Sequence, residues 1–142
     1  MSSDSIAGEQ GAARLAVVAR IAIAAAVIGV FMTWTTDGPV TLNGTQGPNN
    51  GWLVVIVAAF SLGWTWSLAR GSRVAMAVVL GAATLIAWTA LENWLDNREA
   101  LGASASYGLV LVVVASVVLG GTAVASAVQR ARAGERASGL PR

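Results

Sequence analysis

Four apolar runs leave this chain few possible folds. They read LAVVARIAIAAAVIGVFMTW at 15–34, WLVVIVAAFSLGWTWSLA at 52–69, VAMAVVLGAATLIAWTAL at 74–91 and YGLVLVVVASVVLGGTAVASAV at 107–128. As helices rising about 1.5 Å per residue, all are long enough to cross a hydrocarbon layer of about 30 Å. None shows a polar stripe of helical period, as a soluble amphipathic helix would. A chain of 142 residues has too little left over to bury four such helices in water. Charge agrees: only 11% of residues are charged and 56% are hydrophobic, against about 25% charged in a soluble domain. The expected fold class is an all-α membrane protein, with four transmembrane helices in an up-down bundle.

The runs place helices at 15–35, 52–69, 74–92 and 107–128, within one unit spanning 14–129. The flanks differ in kind. Segment 1–13 is small and polar, segment 130–142 is basic and punctuated by glycine, and both read as flexible tails. Arg20 interrupts the first run. Either its long stem snorkels toward headgroups, or the span starts at Ile21.

Every basic residue is arginine, and the arginines are unevenly placed. Arg14, Arg20, Arg70, Arg73, Arg130, Arg132, Arg136 and Arg142 fall on one side of the expected topology, and Arg98 on the other. The positive-inside rule then puts both termini in the cytoplasm and loops 35–51 and 92–106 outside. The first run ends in Met32-Thr33-Trp34 without a small-x-small cleavage pattern, so a retained anchor is expected rather than a cleaved signal peptide. The absence of Lys and the abundance of Ala, Gly and Val suggest a GC-rich bacterial genome, and with it the inner membrane. Tryptophans near the run ends fit interfacial belts. Trp88 sits a turn deeper and is open to a second role, packing between helices.

Chemistry has little to work with. With no Cys and no His, thiolate chemistry, disulfides and the commonest metal ligand are missing. No phosphate loop, nucleophile elbow or zinc motif occurs. The expectation is a non-enzyme with no cofactor. A net charge of +2, with arginines at membrane edges, gives no reason to expect nucleic acid as a partner. The expected partners are the lipid bilayer and a second copy or another membrane protein.

Two features remain as candidate sites. In AWTALENWLDNREALG, Trp88, Glu92, Asp96 and Glu99 recur at helical spacing and share one face. The face is either a solvated helix end or an outer site for a cation or a partner's arginine. Small-xxx-small pairs, Ala25/Gly29, Ala59/Gly63, Ala77/Gly81 and Ser116/Gly120, mark candidate close packing at Gly29, Gly63, Gly81, Ser116 and Gly120. Loop 35–51 carries the turn signals Asp37-Gly38 and Asn43-Gly44 around Val40-Thr41-Leu42. It reads either as a short hairpin or as a solvated loop, and the shortness of the strand favours the loop.

Several of these features occur in the same order in a group of small, uncharacterised four-helix membrane proteins of actinobacteria, which this chain resembles. The shared elements are Met32-Thr33-Trp34, VTLNGTQGPNNG, Gly51-Trp52, ENWLDNRE and Tyr107-Gly108-Leu109. The chain departs from the group at Thr33, where a proline is expected before the tryptophan. The resemblance implies four-helix topology and no activity. The leading expectation is an accessory or structural membrane protein acting through helix packing and its two outer loops. The alternatives are a small oligomeric cation or drug transporter or channel, and a phage-type protein that perturbs membranes.

Overall fold

A computed structural model describes residues 3–37, 40–46, 49–101 and 104–137. In chain order the elements are α1 (Ser3–Phe31), β1 (Thr33–Asp37), β2 (Val40–Asn43), α2 (Gly51–Ala69), α3 (Arg73–Leu101), β3 (Ser104–Ala105) and α4 (Tyr107–Ala137). The chain is mostly helical, and all four helices are long and apolar enough to cross a membrane. Each packs against its sequence neighbours, and α4 closes the ring against α1.

The helices face one another with small residues. Ala19, Ala22 and Ala26 of α1, Ala58 of α2, Ala75, Ala83 and Ala90 of α3, and Ala115 and Ala123 of α4 are buried. The bulky side chains Ile21, Ile28, Ile56, Phe60 and Val117 point outward. The alanines allow close backbone approach between lipid-solvated helices, with Leu68, Val79, Ile86 and Leu119 filling the space between them. The buried hydroxyls of the helices are satisfied locally. Ser61, Thr65, Thr89, Ser116, Thr122 and Ser126 each bond to a carbonyl about one turn back on their own helix.

The helices overrun the expected bounds at three ends. α1 begins inside the segment 1–13 expected as a flexible tail, and α4 continues to Ala137 through most of the expected tail 130–142. Ala, Glu, Gln and Arg are strong helix formers, and a helix already nucleated in an apolar run extends through them at little cost. α3 likewise continues past Glu92 to Leu101. The fourth difference is a shortening: α1 stops at Phe31 rather than at residue 35. The following Thr-Trp-Thr-Thr is β-branched and aromatic, a composition that favours a strand.

That strand corrects the expectation of a solvated loop at 35–51. β1 pairs antiparallel with β2, Thr36 opposite Thr41 and Asp37 opposite Val40, so loop 35–51 begins with a hairpin. Its turn, at 38–39, lies outside the described residues. β1 also pairs with β3, Thr35 opposite Ala105, giving a three-stranded sheet in the order β2-β1-β3. The two loops at this end of the bundle are therefore one structure. Nothing in the local sequence of 104–105 marks it as a strand; it is a partner recruited by β1.

Candidate functional site

The cap is locked onto the helices through Trp34. The β1–β2 register slips between Thr33 and Thr35, leaving Trp34 as the extra residue of a bulge. Bulges re-aim side chains, and this one buries Trp34 completely, at 0% exposure. Its indole Nε1 donates to the Gly29 carbonyl at 2.8 Å. The Gly44 amide donates to the Val30 carbonyl, also at 2.8 Å. The last turn of α1, whose carbonyls lack helical partners, is thus capped by its own strand and loop. Gly44 lies so close to the indole that a Cβ there would come within 2.5 Å of Trp34 Cε2. Trp34 was expected in an interfacial belt; its β-rich surroundings are the sequence signal for the role it has instead.

A second tie runs from α3 to α2. Asn93, buried, accepts the Asn50 amide at 3.1 Å through Oδ1 and donates to the Thr89 carbonyl at 2.7 Å through Nδ2. The Gly51 amide donates to the Gly44 carbonyl. Together these meet part of the donor demand at the start of α2. At the opposite end, Gly71 in the left-handed region closes α2. The Ser72 and Gly71 amides bond back to the Ser67 and Leu68 carbonyls, and Ser72 then caps α3. Arg130 of α4 donates to the Gly71 carbonyl and pins that turn.

The acidic face now has a direction. Asn93 and Ala90 turn into the bundle, and Trp94 packs half-buried against its core. Glu92 and Asp96 therefore point away from it and are exposed. Trp88 is 63% exposed on the same outer face, which corrects the reading that it packs between helices of this chain. Below it runs a shallow apolar groove lined by Ala77, Leu80, Gly81, Thr84, Leu85 and Trp88. Glu99 lies on α3, but its side chain is outside the described residues. Among the described residues no group of three acidic side chains is placed to hold a metal ion. Replacing Glu92 and Asp96 together by Gln should shift stability by less than about 0.5 kcal/mol in thermal unfolding, the usual size for surface changes. Titration with calcium should leave tryptophan emission unchanged; a response lost in Glu92→Gln would instead establish a cation site.

The small residues separate into two groups. A Cβ on Gly29 would sit 2.8 Å from Val112 Cγ2 and 2.9 Å from the Gly108 carbonyl oxygen, so α1 and α4 cross here at near-contact of their backbones. Ser116 is buried, and Gly120 faces Ala83 and Leu80 at ordinary contact distance. Gly63 and Gly81 have nothing within 4 Å and pack against no helix of this chain, which corrects the expectation for both. Spacing alone does not say which way a small residue points.

By length and composition the four helices fit the class of multi-pass membrane proteins. No protein-family model, curated protein or solved structure matches the chain.

Proposed function

We propose that the chain is a non-enzymatic accessory protein of a bacterial cytoplasmic membrane, with both termini in the cytoplasm, that binds a membrane-protein partner. The carrying observation is the cap: β1 and β3 join both outer loops into one sheet, and Trp34, Gly44 and Asn93 hold it against the helix ends. A surface tied to the helix ends in this way suits presentation to a partner better than gating. The Trp88–Glu92–Asp96 face turns away from the bundle beside that cap and offers an apolar anchor with carboxylates above it. The transport alternative has less support. The centre of the ring is filled by Ala, Val and Ile side chains, and its hydroxyls are already bonded to their own helices.

Topology is tested by reporter fusions. Fusions after Arg73 and at the C-terminus should report cytoplasm, and fusions at Asn49 and Ala103 the outside. A cytoplasmic signal at Asn49 would sink the four-span reading. The accessory role is tested in two arms. Proteoliposomes should show no cation or drug flux above that of empty vesicles. A photo-crosslinker at Glu92 should give a discrete adduct in intact cells that Trp88→Ala removes. Flux in the first arm, with no adduct in the second, would replace the accessory reading with transport.

A further inference from the structure

Arg20 is held in a way that leaves half of it unused. Its Nε donates to Thr65 Oγ1 at 3.1 Å, and Thr65 in turn donates to the Leu62 carbonyl at 2.8 Å, which fixes the hydroxyl. The guanidinium carbon lies 4.2 Å from the centre of the Trp66 ring. One edge and one face of the group are thereby occupied. The Nη edge makes no hydrogen bond to any described residue. Thr65 is fully buried, whereas Trp66 is 64% exposed, so the pair forms a shelf that opens outward between α1 and α2.

The depth is informative. Arg20 lies six residues beyond Arg14 on α1, and Thr65 five residues before Arg70 on α2. That places the shelf about 7–9 Å inside the arginine-rich end of the bundle. The Cα–Cβ bond of a helical residue tilts toward the helix N-terminus, which here is that same end. Among the described residues no acid pairs with Arg20. Glu92 and Asp96 sit at the other end of α3, and Glu9 is eleven residues earlier on α1, about 16 Å along the axis. A second copy inserted in the same direction brings no acid to this level either. The counter-charge has to come from the surroundings. At the edge of a bilayer it is a phosphate, which an arginine edge binds through two parallel hydrogen bonds.

We infer that Arg20, stacked on Trp66 and anchored by Thr65, is the phosphate-binding residue of an anionic-phospholipid site in the leaflet on the side of the termini. The inference rests on the membrane reading above. Exposed Arg14 and Arg73 at the same end enrich anionic lipid locally. Arg20 adds a fixed, partly desolvated contact to that diffuse attraction.

The test uses the full chain purified in non-ionic detergent and exposed to equal amounts of dioleoylphosphatidylglycerol and dioleoylphosphatidylcholine. After detergent exchange, retained lipid is measured. The wild type should retain the anionic lipid with a preference of at least about fivefold. Arg20→Gln should bring the two to parity, and Arg20→Lys should keep part of the preference. Arg132→Gln, which removes an exposed arginine farther along α4, should behave as wild type. Thr65→Val keeps the charge but frees Nε, and it should lower the preference even if Arg20→Gln does not fold. No preference in the wild type, an undiminished one in Arg20→Gln or Thr65→Val, or an equal loss in Arg132→Gln would overturn the site. Displacement of the lipid by inorganic phosphate would overturn its assignment to a lipid. Extraction of the chain from membranes by alkaline carbonate would overturn the membrane reading beneath it, whereas lost preference in a carbonate-resistant protein overturns the lipid site alone.

Discussion

Trp34→Ala should destabilise the chain by about 3–5 kcal/mol, the range for removing a buried large aromatic side chain. Three effects act together. The indole is fully buried, so its removal leaves a cavity between the cap and the helices. Its Nε1 bond to the Gly29 carbonyl is lost, leaving that oxygen only the longer bond from the Met32 amide at 3.3 Å. The face of Gly44 that rests on the ring loses its support. Thermal unfolding in detergent measures the total, and protease sensitivity between β2 and α2 reports the cap separately. Trp52→Ala is the control, because Trp52 is exposed and touches Phe31 only edge-on at 6.2 Å between ring centres. Equal losses in the two variants would mean that Trp34 does not key the cap.

Gly29→Leu should cost more than about 3 kcal/mol, at the upper end of overpacking penalties. Its Cβ alone would press on Val112 and on the Gly108 carbonyl oxygen. A side-chain tip can swing aside, but a backbone oxygen moves only if α1 and α4 separate. That separation would disturb the crossing directly below β1 and β3, so cap and bundle should loosen together. Gly81→Leu, at a position with nothing within 4 Å, should stay within about 0.5 kcal/mol of wild type. The same detergent melts compare them. A large loss in Gly81→Leu would show that the groove below Trp88 is covered by a second copy. A small loss in Gly29→Leu would mean that the two helices do not meet closely at Gly29.

Both variants probe features that the sequence marked with the wrong emphasis. Trp34 was visible as an aromatic residue at a run end, where belts are common. Its β-branched neighbours pointed to a strand, but a strand of five residues is stable only with partners. One partner, β2, is local and was legible in the turn signals around Val40. The other, β3, is two residues long and far away in sequence; no local pattern could announce it. Gly29, Gly63 and Gly81 carried the same small-xxx-small signature, yet one is crowded and two are open.

What the sequence determined by itself was the count and the character of the helices: four of them, long and apolar enough to cross a membrane, their order, and the arginine asymmetry between their ends. These follow from local hydrophobicity and length, which each segment carries whatever its neighbours do. The spacing also put Trp88, Glu92 and Asp96 on one face of α3. Only the tertiary structure decided which way that face turned, because in a chain apolar all round the buried side is chosen by size and not by polarity. It is the Ala-rich side that the neighbouring helices can approach. The sheet joining the two loops and the Thr65–Trp66 shelf under Arg20 are likewise long-range. Each needs residues far apart in the chain to meet, and that meeting depends on how closely the helices pack.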